Sequence, residues 1–271
     1  MIPLEDNYTD VIGKAQRGLN LSDSLLAEKA KVSVEQLRKV KEGEPIDEIL
    51  EKIAPVLGLG KKALLDLAKG LYYPQDRGII PGLFHFNTRW EDMTVNSYLV
   101  WDTTTKEAAV FDTGGNCTEM LDAIKVHGLH VKYIFLTHTH ADHIAELGRL
   151  KRAVGAPAYC CELEMISGTE PFSPGKEFQL SHLSIRSFLT NGHSPGGVSY
   201  YITGGEHKFV IVGDSIFAGS MGGGNYSYSD ALKNNKEKIL TLPDDTIICP
   251  GHGPLTTVGE EKIHNPFFAF S

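Results

Sequence analysis

Short apolar runs recur through the last two thirds of the chain, and each gives way to a turn rich in glycine or polar residues. Runs of this length with many β-branched and aromatic residues are typical of buried strands. The pattern predicts strands at 94–101, 108–112, 133–136, 156–160, 183–190, 198–203, 208–212 and 246–249. Helical spacing of apolar residues lies between them, near 117–127, 142–154 and 229–242. Strand meanders with interspersed helices predict an α/β fold of two sheets with helices outside.

The first 71 residues have a different pattern, in which apolar positions repeat at helical spacing without a strand-like run. Helices are predicted at 21–30, 33–40, 46–53 and 61–68. Ser33 and Gln36 stand at the positions of a capping box, and Pro55 is expected to kink or shorten the third helix. The segment 72–78 breaks the helical pattern and is the expected linker. The sequence therefore predicts a helical domain at 1–75 and a larger α/β domain at 76–271.

A cluster of histidines follows the predicted strand at 133–136 and reads Thr-His-Thr-His-Ala-Asp-His from Thr137 to His143. Imidazole and carboxylate are ligands for zinc and also for iron. Alternate residues of an extended segment point the same way, so His138 and His140 can bind one ion. Asp142 and His143 begin the next helical turn and point elsewhere, which indicates a second ion. The other interpretation is a polar loop that is merely rich in histidine.

Three further candidates occur in similar surroundings later in the chain. His193 lies in a glycine-rich turn, and Asp214 and His252 each follow an apolar run that ends in glycine. Glycine lets the backbone approach an ion closely. Four separate segments therefore carry the kind of side chain that holds a metal.

Together these motifs resemble the metallo-β-lactamase superfamily and, within it, the short glyoxalase II-like hydrolases. The resemblance covers about 83–267 and includes the tail motifs at 240–246, 250–261 and 265–267. It implies the αβ/βα four-layer sandwich, which the periodicity alone does not specify. It also implies two divalent metal ions, zinc or iron. The first ion would take His138, His140 and His193, the second Asp142, His143 and His252, with Asp214 bridging both.

The same resemblance implies a metal-dependent hydrolase that acts on a thioester or another small ester. A metal-bridging hydroxide would be the nucleophile, because a divalent ion lowers the pKa of water to about 7. Asp142 and Asp214 enter the catalytic set as metal ligands, and Asp142 has no separate role as a base. Four alternatives remain at this stage: a mononuclear iron persulfide dioxygenase, a phosphodiesterase or nuclease, a β-lactamase, and a metal-responsive DNA-binding regulator.

Asp112 resembles an aspartate of the same family that holds a ligand histidine in place.

Two departures from the family pattern concern the part of the site that would bind substrate. Glyoxalase II enzymes of full length continue into a helical domain with cationic residues that hold glutathione, and we expect those contacts to be absent. After Ser220, where the family often has Gly-Arg-Thr-Asp, this chain has a glycine-rich loop with Tyr226 and Tyr228, which either line the site or are simply exposed.

The N-terminal helices resemble the lambda-repressor-like helix-turn-helix domain, through the residues Ala27, Ala30, Val32, Ser33, Glu42 and Gly43. Such a module would place the helix after Ser33 in a DNA major groove. DNA affinity depends on clustered positive charge. Residues 1–76 carry eleven lysine or arginine residues against thirteen aspartate or glutamate residues. This balance favours packing or partner binding over DNA recognition.

Composition adds limits on class and location. The 271 residues carry a net charge of −8, so no general basic field recruits nucleic acid or anionic lipid. Four cysteines show neither a disulfide framework nor a C-x-x-C pair. The acidic, polar start is unlike a secretory signal, and no apolar run reaches membrane-spanning length. These features predict a cytoplasmic protein with a small-molecule substrate and no membrane contact, while the oligomeric state stays open.

Overall fold

Five helices form the first part of the computed structural model, which describes residues 1–269. They are α1 (Tyr8–Gly18), α2 (Asp23–Ala30), α3 (Val34–Lys41), α4 (Asp47–Val56) and α5 (Lys61–Ala68). The predicted capping box at α3 is present, because the Gln36 amide donates to Ser33 Oγ and the Ser33 amide donates to Gln36 Oε1. Pro55 lies in the last turn of α4, which ends one residue later.

Twelve strands, five further α-helices and a 3-10 turn at Glu162–Glu164 follow within residues 1–269. The strands are β1 (Leu83–Trp90), β2 (Met93–Trp101), β3 (Glu107–Phe111), β4 (His130–Phe135), β5 (Ala158–Cys161), β6 (Glu170–Phe172), β7 (Glu177–Leu180), β8 (Leu183–Leu189), β9 (Val198–Thr203), β10 (Phe209–Gly213), β11 (Ile247–Pro250) and β12 (Thr256–Thr257). The helices are α6 (Thr118–His127), α7 (Ala141–Ile144), α8 (Leu147–Val154), α9 (Tyr228–Asn234) and α10 (Val258–His264). A π-helical turn, Asn235–Ile239, continues α9.

The strands form two sheets of six. The first has the order β1-β2-β3-β4-β5-β6, and the second has the order β12-β11-β10-β9-β8-β7. Parallel pairing connects β3 to β6 in the first sheet and joins β10 to β11 in the second. The remaining neighbours are antiparallel. The carboxyl ends of β3, β4, β10 and β11 therefore open on the loops that carry the polar motifs.

Apolar side chains on both faces of the central strands explain why their sequences are continuous apolar runs. In β10, Phe209 and Ile211 point into the layer between the sheets, whereas Val210 and Val212 point to the outer face. The inner layer is rich in aromatic rings, including Phe111, Phe135 and Tyr200. A third apolar cluster lies between the first sheet and helices α6 and α8. The predicted αβ/βα arrangement is confirmed.

The five N-terminal helices pack on the outer face of the second sheet. Their apolar residues share one buried cluster with β10, β11, α9 and α10. The linker adds polar contacts, since the Tyr72 hydroxyl donates to Glu261 on α10. The helical segment thus forms part of the outer helical layer. The domain boundary at 75/76 stays a prediction, and the last two residues of the predicted 76–271 domain lie outside the described residues.

Most of the predicted elements correspond to observed ones, but the helices α1 and α10 and four strands were missed. The missed strands are β1, β6, β7 and β12, of which three have four residues or fewer. The predicted helix at 142–154 is divided into α7 and α8. Within residues 1–269, no helix has both the length and the apolar character needed to cross a membrane.

Candidate metal centre

The seven predicted ligand side chains meet at one end of the two sheets, although they come from four distant segments. The loop after β4 supplies four of them, and the loops after β8, β10 and β11 supply one each. Because strand ends that share a sheet edge are neighbours, sequence separations of about a hundred residues become contacts of a few ångströms. The donor atoms form two groups, His138, His140, His193 and Asp214 in one, and Asp142, His143 and His252 in the other.

Three imidazole nitrogens define the first group. Nδ1 of His140 lies 3.0 Å from Nε2 of His138 and 3.0 Å from Nε2 of His193. Tetrahedral zinc with bonds of about 2.05 Å places its ligand atoms roughly 3.3 Å apart. The observed spacing is close to that value, so one ion fits among these three rings.

The second group contains a carboxylate and two imidazoles. Oδ2 of Asp142 lies 3.4 Å from Nε2 of His143 and 3.3 Å from Nε2 of His252. His143 is fully buried, whereas the Asp142 side chain keeps 13% of its surface exposed. These contacts again have the spacing of ligands around a shared ion.

Asp214 lies between the two groups and contacts both. Its Oδ2 is 3.4 Å from Nε2 of His193 and 3.5 Å from Nε2 of His252. Its Oδ1 is 3.3 Å from Nε2 of His143. One carboxylate therefore faces both donor sets, which is the arrangement that a bridging ligand requires.

Hydrogen bonds on the outer side fix the rings of the first group. Nδ1 of His138 lies 3.0 Å from the Thr137 hydroxyl, and Nδ1 of His193 lies 3.0 Å from the Gly223 carbonyl oxygen. A ring that donates through Nδ1 keeps its lone pair on Nε2. Both Nε2 atoms therefore present lone pairs toward His140.

The rings of the second group are oriented in the same way. Nδ1 of His143 donates to Asp112 over 2.8 Å, and Nδ1 of His252 donates to the Thr94 carbonyl oxygen over 2.7 Å. Such outer partners set the tautomer and direction of a metal-binding histidine. Both Nε2 atoms again face the centre of the site.

Asp112 occupies the position that the sequence resemblance gives it. It is 2% exposed, and its carboxylate also accepts from the backbone amide and the hydroxyl of Thr137. Its backbone has φ of 56°, a conformation that aspartate tolerates better than most residues. One buried carboxylate thus connects the loop after β3 with the loop that carries His143.

Two glycines allow backbone to approach the donors. A Cβ at Gly251 would collide with Oδ1 of Asp214, and it would lie 2.7 Å from the His143 ring. A Cβ at Gly222 would collide with the Asp214 carbonyl and lie 3.2 Å from Nδ1 of His193. Glycine, which has no Cβ, is therefore required at these two positions.

The pKa values of the donor histidines and of Asp214 are shifted, and not all in the same direction. Burial alone would lower the pKa of His143 and His252, but Asp214 outweighs it and raises these pKa values to about 10 and about 11. Burial, together with neighbouring imidazoles, holds the pKa of His138 and His193 below the usual value. Burial would raise the pKa of Asp214, but His252 and His143 outweigh it and hold that pKa far down. Ionised Asp214 is thus accompanied by neutral His138 and His193, already in the form that binds metal, and by protonated His143 and His252, which must release a proton when an ion binds.

Buried atoms without partners indicate what the cluster lacks. Nε2 of His143 and Oδ1 of Asp214 are both buried, and neither meets a hydrogen-bond partner among the described residues. Such groups are costly in a folded protein unless something satisfies them. In the first group, Nδ1 of His140 can donate to only one of the two lone pairs that face it. The donor set therefore fits divalent cations, with zinc and iron both suited to imidazole and carboxylate.

Other sequence candidates lie elsewhere. Cys249 is buried in the inner layer, His264 stacks on Tyr72 with ring centroids 4.7 Å apart, and Tyr226 is 59% exposed. Tyr228 packs against the cluster around the N-terminal helices and covers Gly18. None of these four belongs to the two donor groups.

The sequence analysis missed Glu164, which joins two of the loops. Its carboxylate accepts from the backbone amide and hydroxyl of Thr139 and from the backbone amide of Gly196. Burial would raise its pKa, but these hydrogen bonds outweigh burial and lower it. No motif marks this residue, because it acts through backbone groups of segments 25 and 32 residues away.

A cavity of about 580 Å³ lies away from the donors, between the N-terminus, the linker and β1. Its lining includes Arg77, Ile80 and His85 and none of the seven donor residues. At the metal centre, His140 is exposed at the surface.

Comparison with known proteins places these features in a family. The sequence model of the metallo-beta-lactamase superfamily matches residues 90–252. A probable metallo-hydrolase of Bacillus subtilis, YqgX, is 33% identical over 187 residues, which are 59% of this chain and 87% of the relative. The hydroxyacylglutathione hydrolase GloC of Haemophilus influenzae is 28% identical over 197 residues, with 64% of this chain and 92% of the relative covered.

Solved structures of similar proteins share the fold. The B3 metallo-beta-lactamase BLEG-1 is 31% identical with a TM-score of 0.57, covering 68% of this chain and 99% of its own. TTHA1623, solved in a di-iron-bound form, is 28% identical with a TM-score of 0.57, covering 67% of this chain and 99% of its own. Both alignments leave about a third of this chain unmatched.

Proposed function

This chain belongs to the metallo-beta-lactamase superfamily, and from that premise we propose that it is a metal-dependent hydrolase of the glyoxalase II-like type. The proposed substrate is a thioester or another small ester. The superfamily includes metallo-hydrolases, and a relative of 28% identity is a hydroxyacylglutathione hydrolase. The proposal extends that relative's class of reaction, and not its individual substrate, to this chain.

The observation that carries the proposal is the position of Asp214. Its Oδ2 contacts both donor groups, 3.4 Å from Nε2 of His193 and 3.5 Å from Nε2 of His252, and its Oδ1 lies 3.3 Å from Nε2 of His143. A carboxylate in this position suits two ions rather than one. We propose zinc or iron at both positions, and a relative of known structure holds two irons.

The seven donor residues would hold two metal ions. His138, His140 and His193 would hold the first ion, and Asp142, His143 and His252 the second, with Asp214 shared. When bound, divalent ions supply Lewis acidity, which polarises an ester carbonyl and makes water nucleophilic near neutral pH. The leaving thiolate of a thioester needs no strong acid from the protein, because thiols have pKa values of about 8.5.

The protein's own contribution is orientation. Asp112, Thr137 and the carbonyl groups of Thr94 and Gly223 hold the outer nitrogens of four histidines. Ligands fixed in this way need little rearrangement when the ions bind. The exposed edge of His140 marks the side from which substrate reaches the site.

The test combines metal analysis with a substrate panel. Purified protein loaded with zinc or with iron is analysed for metal content and then assayed with acyl-glutathione thioesters, other acyl thioesters and small oxyesters. The panel also includes a β-lactam and bis-p-nitrophenyl phosphate, and oxygen consumption is followed with glutathione persulfide. Thioester or ester turnover with about two ions per chain supports the proposal. Exclusive turnover of the lactam, the phosphodiester or the persulfide would reject it in favour of that activity.

For the helical segment, we propose packing against the catalytic part rather than DNA binding. Lys41 pairs with Asp23, and Arg38 pairs with Glu42, so two of the basic side chains near α3 are neutralised within the segment. Residues 1–76 have more acidic than basic side chains. A mobility-shift assay with random duplex DNA over a salt series tests this, and tight binding at low salt that weakens steeply with added salt would contradict it.

A further inference from the structure

The segment between β10 and α9 contains no predicted metal ligand after Asp214. It nevertheless contacts three of the predicted ligands, His193, Asp214 and His252. The Gly223 carbonyl oxygen lies 3.0 Å from Nδ1 of His193. Gly222 packs against the Asp214 backbone so tightly that a Cβ would collide with it. The Phe217 ring stands edge-on to the His252 ring, with centroids 5.8 Å apart and an interplanar angle of 89°. This segment, 217–223, therefore touches both donor groups, and we refer to it as the support loop.

The first helix holds the support loop in place. Lys14, on α1, donates to the Met221 carbonyl oxygen over 2.9 Å and lies 5.1 Å from the centre of the Phe217 ring. Lys14 also pairs with Asp6, which accepts a hydrogen bond from the Ser220 hydroxyl over 2.6 Å. The Lys14 side chain is 14% exposed, and Asp6 is 8% exposed. The N-terminal segment thus makes three contacts with the support loop, at Phe217, Ser220 and Met221.

We propose that Lys14 and Asp6 are positioning residues of the metal centre, which act through the support loop on His193 and His252. Residues before the matched family region would then complete a site whose ligands all lie within it. The role of the helical segment would be to fix the geometry of the metal ligands.

The physical reason lies in the burial of this ion pair. An ammonium and a carboxylate with little solvent contact hold their partners firmly, since a buried charge that loses its partner is strongly unfavourable. The Met221 carbonyl accepts a further hydrogen bond from Lys14, and the Ser220 hydroxyl donates a further one to Asp6. The loop backbone at Gly222 and Gly223 is therefore fixed immediately before it meets Asp214 and His193.

Two other contacts of the helical segment lie away from the ligands. Gly18 lies under the Tyr228 ring, and the Gly60 amide donates to the Pro266 carbonyl oxygen over 2.7 Å. These contacts join the segment to α9 and to the C-terminal tail. Substitutions at these contacts would test how the segment packs on the rest of the protein, whereas a substitution of Lys14 tests whether the segment positions the metal ligands.

The experiment uses the full chain and the variants Lys14→Met and Lys14→Arg. Methionine keeps the apolar stem of lysine and removes both hydrogen bonds and the charge, whereas arginine restores a cation that can donate to Asp6 and to Met221. Metal affinity is measured by chelator competition with zinc, and the ligand geometry is followed through the visible spectrum of the cobalt-substituted protein. Thermal unfolding of each variant establishes that it is folded.

We expect Lys14→Met to bind zinc about tenfold more weakly with an altered cobalt spectrum, as for other residues that orient metal ligands. Lys14→Arg should remain within threefold of the wild-type affinity. The matched control is Lys69→Met, which removes an exposed lysine paired with Asp47 on the same helical segment and should change neither readout. Wild-type affinity and spectrum in folded Lys14→Met would overturn the proposal, as would equal losses in Lys14→Met and Lys14→Arg.

A second variant serves if Lys14→Met does not fold. Ser220→Ala removes only the hydroxyl that donates to Asp6 and leaves the ion pair intact. A smaller loss of zinc affinity with the same spectral change supports the role of the support loop, and no change in either contradicts it.

The inference rests on the metal centre of the proposed function. Absence of turnover by the wild-type protein would nevertheless reject only the hydrolase proposal, because zinc affinity and cobalt spectra are measured without substrate.

Discussion

Oδ2 of Asp112 lies 2.8 Å from Nδ1 of His143, and both side chains are buried. The same carboxylate accepts from the amide and the hydroxyl of Thr137, one residue before the first histidine of the cluster. A single side chain therefore orients a ring of the second donor group and the start of the loop that holds the first. This relationship makes Asp112 the best place to test how far the ligands depend on their outer partners.

Asp112→Asn should weaken metal binding by about 10- to 100-fold while the protein stays folded. Asparagine fits the left-handed backbone at φ of 56° as well as aspartate does. It replaces one of two acceptor oxygens by an NH2 group, so it cannot accept from both Nδ1 of His143 and the Thr137 amide, and either the ring or the loop before His138 loses its anchor. Chelator competition with zinc measures the change.

Asp102→Asn is the matched control for that experiment. Asp102 is also buried and lies 2.7 Å from Nδ1 of a histidine, His182, but it belongs to the turn after β2 and contacts none of the seven donors. We expect lower stability and unchanged zinc affinity in this variant. Equal losses of affinity in the two variants would mean that the Asp112 effect is a general loss of structure.

Asp214→Ala should lose about one ion per chain and most of the hydrolytic activity, by more than about 100-fold, because it removes a ligand rather than an outer partner. The reason is its position between the two donor groups, with oxygens 3.3 Å from His143 and 3.4 Å from His193. Metal analysis after dialysis and turnover of the best thioester or ester measure the result. The control is Asp245→Ala, at an exposed aspartate paired with Lys208. Full activity in Asp214→Ala would refute the bridging role.

Glu164→Ala should weaken the first donor group more than the second. The carboxylate holds Thr139, which lies between His138 and His140, and also the amide of Gly196 in the loop of His193. Without it, both loops lose a shared anchor, and we expect a loss of about tenfold in affinity for one of two ions. A two-step zinc titration against a chelator separates the ions. Glu162→Ala, at an exposed glutamate of the same turn, is the control, and equal weakening of both ions would contradict the assignment.

The side chains that meet at the candidate metal centre could be identified in the sequence because each of them follows a strand and has a local signature. His138 and His140 alternate along an extended segment, and Asp214 and His252 each follow an apolar run ending in glycine. The buried strands could be predicted for the same reason, since two-sided burial leaves continuous apolar runs. Very short strands such as β6 and β12 carry too few residues to show a period.

The supporting residues could not be predicted, because their partners are distant in sequence and are often backbone atoms. Lys14 contacts the carbonyl of Met221 across 207 residues, and Ser220 contacts Asp6 across 214. Nothing in the local sequence of Lys14 distinguishes it from exposed lysines such as Lys69. Asp112 was identified only through a family resemblance, since an aspartate after a strand is equally typical of a surface turn.

Glu261 offers a test of pH dependence that does not involve the donors. It is fully buried on α10, and its carboxylate accepts from Tyr72, Thr256, Asn265 and the amide of Gly219. Burial raises its pKa from 4.5 to about 7, despite the opposing effect of these hydrogen bonds. Between those two values the folded protein binds more protons than the unfolded chain, so the free energy of unfolding falls as pH rises.

Glu261→Gln should therefore flatten the pH dependence of stability between about pH 4.5 and 7. The wild-type carboxyl contributes stability that is fully present below pH 4.5 and is lost as pH rises through about 7, a change of about 3 kcal/mol. Glutamine stays neutral throughout, although its NH2 group loses acceptor bonds and lowers stability by about 1–3 kcal/mol at every pH. Urea unfolding at several pH values measures how the free energy of unfolding changes with pH in each protein. The control is Glu28→Gln, at an exposed glutamate. If wild type and Glu261→Gln lose stability in parallel over this range, Glu261 is ionised in the folded protein at low pH and its four hydrogen bonds outweigh burial.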